Sequence, residues 1–167
     1  MDRSCFVAIF KQNCVTSVDA FVLSCIEYRI GKAVPNFLIE TLGVSYTMKE
    51  AAGGVREINA GDEKICEWIL MNVGIGVDKH GAAKVVLINH TDCAAYKAYV
   101  KFASEAEEIL FHTEELRKAA DRLRESFPNM VIEAYIAVLL ETSEVGFLYV
   151  DVSPRNVNDD RAVSASS

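Results

Sequence analysis

The sequence predicts an α/β protein with a mainly parallel β-sheet of four to five strands flanked by helices. Short apolar runs without periodicity, typical of strands buried on both faces, alternate along the chain with longer stretches of helical periodicity. Strands and helices that alternate in this way form right-handed crossovers and cover both faces of a parallel sheet. Of the 167 residues, 51% are apolar and 25% are charged, which is the composition of an ordinary globular domain.

The first half of the chain is predicted to alternate between strand and helix. The apolar run at 21–25 is typical of a buried strand and stops at charged residues. A helix at 34–42, with a proline tolerated in its first turn, leads to a second strand at 44–48. A longer helix at 62–78 precedes the buried strand at 85–88. The core-facing residues predicted for the longer helix are Ile65, Trp68, Ile69 and Val73.

The second half begins with the best specified helix, at 104–127. Ser104 and Glu107 form a capping box, and acidic residues near the start with basic residues near the end suit the helix dipole. The apolar run at 131–139 predicts another buried strand, and the more alternating segment at 146–152 suits an edge strand. The core-facing residues predicted for the helix are Ala106, Ile109, Leu110, Leu116, Leu123 and Phe127.

The charge balance argues against two classes of partner. The chain carries 17 Lys and Arg against 24 Asp and Glu, and no long basic stripe reverses the net charge of −7 locally. We therefore expect no nucleic acid partner and no membrane partner. No apolar stretch approaches the roughly eighteen residues of a membrane span, and the apolar run at 5–10 is too short for a signal peptide. A cytoplasmic location is predicted.

One domain is expected over 1–152. The segment at 153–167 loses its large apolar residues and ends in Ser-Ala-Ser-Ser, so a loose C-terminal tail is predicted. A chain of this size can bury a core without a disulfide or a structural metal, so a bound metal would be functional. Five cysteines at irregular spacing likewise do not indicate a disulfide framework.

The residues best suited to chemistry follow two of the predicted strands. Cys25, Glu27 and Arg29 follow the first strand, and His90 and Cys93 follow the strand before the longest helix. Ligands of parallel sheets bind beyond the carboxyl ends of the strands, where these groups would meet. Two thiolates and one imidazole form a known catalytic zinc set that leaves a fourth position free. For Cys25 taken alone, a role as a small core residue stays open.

A structural role is predicted for the other cysteines and histidines. Cys5, Cys14 and Cys66 have neither a nearby histidine nor a second cysteine at ligand spacing. His80 lies at a predicted helix terminus, and His112 lies on the longest helix among acidic residues. We expect no functional site around either histidine.

The arrangement of these motifs resembles that of the β-class carbonic anhydrases. That family carries Cys-x-Asp-x-Arg after its first strand and His-x-x-Cys after a later one, which match 25–29 and the end of 85–93. An Ala-Gly-Gly loop at 52–54, followed by a long helix, matches the segment between the family's motifs. The segment at 141–151 resembles the family's closing strand, and the resemblance as a whole covers 21–152.

The resemblance implies a carbonate dehydratase, a zinc lyase. Cys25, His90 and Cys93 would bind one Zn²⁺ per chain, and Gly53 and Gly54 would line the substrate pocket. The metal would lower the pKa of its bound water, and the resulting hydroxide would hydrate CO₂ reversibly to bicarbonate. A homodimer or a higher even oligomer is implied as well, although the sequence pattern by itself leaves a monomer open.

In the family, the carboxylate of the first motif accepts a hydrogen bond from the hydroxide and is held by the arginine. The resemblance assigns these catalytic roles to Glu27 and Arg29. Glu27 replaces the family's aspartate, Ala94 stands where glycine is usual, and Glu50-Ala51 stand in place of Arg-Asn. These departures bear on activity because the task of the carboxylate is positional.

Two alternatives to CO₂ hydration stay open. The family is known to include hydrolases of CS₂ or COS that use the same fold and metal. The other alternative is a non-catalytic zinc-binding homologue with a role in assembly or regulation, in which the longer Glu27 side chain ligates the metal. If Glu27 instead folds back onto Arg29, the fourth position stays open for water.

Overall fold

A computed structural model describes residues 16–60 and 62–154, in which strands and helices alternate along the chain. Cys5, Cys14 and the predicted tail from 155 onward lie outside the described residues. The strands are β1 (Ala20–Cys25), β2 (Tyr46–Ala51), β3 (Lys84–His90), β4 (Val131–Leu139) and β5 (Val145–Val150). The helices are α1 (Ala33–Asn36), continued by a π-helical turn (Phe37–Thr41), α2 (Arg56–Asn59), α3 (Glu63–Asp78), α4 (Ala94–Lys97) and α5 (Glu105–Ser126).

The five strands form one sheet in the order β2-β1-β3-β4-β5. The first three pairs are parallel, and β5 pairs with β4 in the antiparallel direction at the edge of the sheet. The predicted fold class is therefore confirmed, with all five strands in place. The second strand, at Tyr46–Ala51, lies later in the chain than the predicted 44–48. None of the described helices is long and apolar enough to cross a membrane.

The two central strands, β1 and β3, are buried on both faces. Phe21 and Leu23 of β1 pack into the core layer that contains α3 and α5. Ala20 and Val22 face the opposite layer, which contains α1. Because both faces are covered, these strands show no alternation of apolar and polar residues in the sequence.

The face that helix α3 turns to the sheet matches the predicted face only in part. Ile65 and Trp68 are 40% and 45% exposed, whereas Cys66 is buried, and only the other two predicted core residues face inward. The reason is close packing at Gly76, where an added Cβ would lie 2.3 Å from a ring carbon of Phe21. The helix therefore buries Cys66 and Gly76 and leaves the tryptophan at the surface.

Helix α5 begins as predicted but its buried face is partly polar. The hydroxyl of Ser104 accepts a hydrogen bond from the N–H of Glu107, and the Glu107 carboxylate accepts one from the N–H of Ala103. Leu110 is 62% exposed and Ala106 is exposed, in contrast to the prediction. Polar residues of the helix take part of the core face instead; the buried ones are Glu108, His112 and Glu115.

His112 is fully buried on the core face of α5. Its Nδ1 lies 3.3 Å from the Nδ2 of Asn89. An amide NH₂ only donates, so Nδ1 is the acceptor and the ring proton resides on Nε2. Nε2 has no hydrogen-bond partner among the described residues, and the nearest carboxylate oxygen, Oε1 of Glu108, is 3.8 Å away. Burial lowers the pKa of His112 to about 4.

The buried His112 should make the protein less stable in mild acid. Its pKa is about 4 in the folded protein and about 6.5 in the unfolded chain, so the unfolded state binds the extra proton between these values. The free energy of unfolding should therefore fall by about 2 kcal/mol between pH 7 and pH 5 because of this group. We expect His112→Gln to remove that part of the fall, measured by urea unfolding at both pH values.

His80→Gln is the matched control, because His80 is exposed and its replacement should leave the pH dependence as it is in the wild type. An equal fall in wild-type protein and in His112→Gln would contradict the assignment.

Candidate metal centre

Two neighbouring strand ends carry the candidate metal ligands. Cys25 is the last residue of β1, His90 is the last residue of β3, and Cys93 precedes the first residue of α4. Because β1 and β3 are adjacent and parallel, their carboxyl ends lie side by side. All three residues are buried, and one ligand atom of each lies within 4.8 Å of the others. The structure thus brings the predicted ligand set together.

The two sulfur atoms are spaced as ligands of one metal ion would be. The Sγ atoms of Cys25 and Cys93 are 3.9 Å apart. Two thiolates bound tetrahedrally to Zn²⁺ at 2.3 Å have sulfurs about 3.8 Å apart. The hydrogen bond between the thiols lowers the pKa of Cys25 and raises the pKa of Cys93. The N–H of Gly53 also donates to the Cys25 sulfur at 3.2 Å, which stabilises a thiolate there.

The imidazole of His90 is oriented with a free lone pair. Its Nδ1 lies 2.7 Å from the carbonyl oxygen of Thr91, and a carbonyl only accepts, so Nδ1 carries the proton. Nε2 is buried and has no hydrogen-bond partner among the described residues. A buried acceptor without a partner is costly, and histidine metal ligands are oriented by this kind of bond at the other ring nitrogen. The residues present therefore fit a metal ion.

The turn between β2 and α2 closes one side of the site. Gly53 and Gly54 both have positive φ angles, +83° and +60°, which favour glycine. A Cβ at Gly54 would lie 2.6 Å from Oδ1 of Asn89, the atom that accepts a hydrogen bond from the N–H of Val55. Gly54 therefore lets the turn approach β3, whereas Gly53 lines the cavity beside the ligands.

A cavity of about 250 Å³ opens over the three ligands. Apart from Glu27, the other side chains around it are apolar or aromatic, and Tyr28 at its rim is 86% exposed. Ala94 is the first residue of α4 and adopts a helical conformation that suits alanine. The remaining side chains of the wall are Ile26, Ala52 and Ala95.

Glu27 and Arg29 form a two-point ion pair beside the cavity. Nε of Arg29 donates to Oε1 of Glu27 at 2.8 Å, and Nη2 donates to Oε2 at 3.1 Å. The hydrogen bonds from Arg29 lower the pKa of the Glu27 carboxyl. Arg29 therefore holds the Glu27 carboxylate at both of its oxygens.

Asp92 is a residue that the sequence reasoning did not assign to the site. Nη1 of Arg29 donates to Oδ2 of Asp92 at 2.6 Å, and Nη2 donates to the backbone oxygen of Asp92 at 3.3 Å. The ammonium group of Lys97 pairs with the other carboxylate oxygen. These two cations lower the pKa of the Asp92 carboxyl, Lys97 more than Arg29. The sequence feature that could have identified Asp92 is its position within the His-x-x-Cys segment, next to the candidate ligand Cys93.

Comparison with known proteins identifies one protein family that this chain matches. A family model described as "Putative carbonic anhydrase" matches residues 16–145. An uncharacterized protein of Rickettsia bellii (strain RML369-C) is 23% identical over 138 residues, covering 78% of this chain and 84% of that protein.

Solved structures share the fold, and two of them illustrate their similarity to this chain. β-Carbonic anhydrase isoform I of the protozoan Trichomonas vaginalis superposes with a TM-score of 0.52 at 17% identity, covering 86% of this chain and 88% of that one. A tetrameric β-carbonic anhydrase of the ascomycete Sordaria macrospora has a TM-score of 0.51 at 10% identity, covering 80% and 82%. The family model spans most of the described residues, including both motifs that carry the candidate ligands. The chain therefore belongs to the carbonic anhydrase family that this model describes, and it has the β-carbonic anhydrase fold.

Proposed function

We propose that this chain is a zinc-dependent enzyme that reversibly hydrates CO₂ to bicarbonate. The observation that carries the proposal is the buried, partnerless Nε2 of His90 beside two sulfur atoms 3.9 Å apart. Cys25, His90 and Cys93 would hold one Zn²⁺ per chain. Zn²⁺ in such a site lowers the pKa of a bound water towards 7, so that a hydroxide nucleophile is available at neutral pH.

Glu27 would orient that nucleophile. The fork of Arg29 fixes the plane of the Glu27 carboxylate and lowers its pKa, so the group is ionised at neutral pH and accepts hydrogen bonds without donating them. A hydroxyl group held by Glu27 therefore points its hydrogen at the carboxylate and keeps its lone pairs for the substrate. Glu27 and Arg29 are the catalytic pair in this proposal.

The cavity suits a small apolar substrate. Its walls include Ile26, Ala52 and Ala95, and its volume of about 250 Å³ leaves room for CO₂. Gly53 would line the substrate pocket at the ligands, with Gly54 supporting the turn behind it. CS₂ and COS are also small and apolar, so the substrates have to be compared directly.

Purified protein should contain about one zinc per chain. Cys25→Ser or Cys93→Ser removes one of the thiolates, so the zinc content should fall below half after dialysis against a weak chelator, measured by mass spectrometry of the metal. Cys66→Ser is the matched control, because Cys66 lies in the core on α3 and is not one of the ligands. Full zinc content in Cys25→Ser would exclude this ligand set.

Zinc-loaded protein should accelerate CO₂ hydration, measured by stopped flow with a pH indicator. Glu27→Asp should lower kcat roughly tenfold or more, because the shorter carboxylate, still held by Arg29, is drawn away from the nucleophile. Glu67→Asp, at an exposed position of α3, should have no effect. A Glu27→Asp variant several-fold faster than wild type would instead favour a non-catalytic homologue in which Glu27 closes the metal site. Turnover of CS₂ or COS without CO₂ hydration would identify a hydrolase.

We also propose that the chain acts in the cytoplasm as a homodimer or a higher even oligomer. The Sordaria macrospora enzymes are tetrameric. The exposed apolar side chains here include Ile65 and Trp68 on α3 and Leu148 and Tyr149 on the edge strand β5. Light scattering after size exclusion should give a mass of two or four chains at micromolar concentration, and a mass of one chain would contradict the proposal.

A further inference from the structure

We propose that Asp92 is a positioning residue for Arg29 and that Glu108 of α5 holds Asp92 in place. The inference rests on the proposed function, in which the pair of Glu27 and Arg29 orients the nucleophile. Asp92 and Glu108 stand outside that pair, and α5 is the long helix that follows the ligand segment in the chain.

The pair of Glu27 and Arg29 is local and cannot fix its own position. The two residues are separated by a single residue on the loop after β1, so their hydrogen bonds survive any movement of that loop as a unit. Arg29 is also 37% exposed, which leaves its guanidinium open to exchange with water. A contact from outside the loop is needed to hold the pair relative to the ligands.

Asp92 supplies that contact. It lies on the loop that joins β3 to α4, between His90 and Cys93, and is 63 residues away from Arg29 in sequence. Its carboxylate accepts from Nη1 of Arg29 at 2.6 Å, and its backbone oxygen accepts from Nη2 at 3.3 Å. The guanidinium therefore connects the loop that carries Glu27 to the segment that carries two of the three ligands. Bonds of this kind, between two charged groups, are the stronger class of hydrogen bond.

The backbone of Asp92 is in the left-handed region, with φ at +59°. Aspartate tolerates this conformation better than most residues, but it still requires support from its surroundings. Glu108 provides it: the N–H of Asp92 donates to Oε1 of Glu108 at 2.8 Å, and Glu108 is only 6% exposed. A buried carboxylate on a long helix is a firm anchor for this N–H, and it sets the direction in which the Asp92 side chain leaves the backbone.

The carboxylate of Asp92 also pairs with Lys97 of α4, so the test has to separate two roles. Asp92→Gly keeps the left-handed conformation, the N–H for Glu108 and the backbone oxygen for Arg29, and removes only the carboxylate. Asp92→Asn retains one acceptor oxygen of similar position. Ser143→Gly is the matched control, because Ser143 is the other non-glycine residue with a positive φ among the described residues and lies in the turn before β5.

The first measurement is the rate at which the Nε hydrogen of Arg29 exchanges with water. It is determined by NMR in metal-free and in zinc-loaded protein. The signal is assigned by its loss in Arg29→Lys. Exchange should be about tenfold faster in Asp92→Gly, intermediate in Asp92→Asn and unchanged in Ser143→Gly. If the exchange rate in Asp92→Gly equalled that of the wild type, the proposal would be overturned. It would also be overturned if Lys97→Gln accelerated the exchange as much as Asp92→Gly does, because the pairing of Asp92 with α4 would then be the cause.

The second measurement is CO₂ hydration by the same zinc-loaded variants. Asp92→Gly should lower kcat about tenfold with unchanged KM and zinc content, and Asp92→Asn should recover part of the loss. Lost zinc in Asp92→Gly would indicate a structural role and count against positioning. If the wild type hydrates no CO₂ while the exchange rates follow the expected order, the proposed function fails and the positioning role stands. If the wild type is active and the exchange rates do not change, the positioning role fails alone.

A third variant tests the part assigned to α5. Glu108→Gln keeps an oxygen that accepts from the N–H of Asp92, whereas Glu108→Ala removes it. Exchange at Arg29 should therefore be faster in Glu108→Ala and close to wild type in Glu108→Gln. If the exchange rate at Arg29 in both variants equalled that of the wild type, Glu108 would not hold Asp92 in place.

Discussion

The parallel pairing of β1 with β3 is the contact on which the candidate site depends. Ser24 lies opposite Ile88 in this pairing, so Cys25 reaches the edge of the sheet next to the end of β3. A shift by one residue would turn every side chain of a strand to the opposite face and would separate the ligands. The register is fixed by apolar packing on both faces of the two strands, at a distance from the site. The core thus determines the spacing of the sulfur and nitrogen atoms.

Much of this arrangement was predictable because strand ends are visible in a sequence. The run at 21–25 and the run at 85–88 are apolar without alternation, and the candidate ligands Cys25 and His90 stand at or just beyond their ends. Which face α3 buries was not predictable from periodicity. Both faces of that helix carry apolar side chains, and the choice depends on the close approach of Gly76 to β1, which no local pattern records.

The burial of polar residues behind the ligands was also not predictable from sequence patterns. Glu108 and His112 stand among other acidic residues on α5, and this composition is typical of a solvated helix face. Glu108 is buried where its carboxylate accepts from the N–H of Asp92, and His112 is buried beside the side chain of Asn89. The contact between Glu108 and Asp92 joins a helix to a loop residue with a positive φ angle. Neither residue can be identified from periodicity in the sequence.

The side chain of Asn89 has a polarity that two separate parts of the site require. Its oxygen faces the N–H of Val55 in the glycine turn, and its nitrogen faces the lone pair of His112. An aspartate has almost the same shape but presents an acceptor at both ends, and it would draw a proton onto the buried ring to satisfy the second oxygen. One amide dipole therefore sets both the closure of the turn and the electrical neutrality of the core beneath it. Replacing Asn89 with aspartate would therefore change the charge of His112 as well as the charge of residue 89 itself.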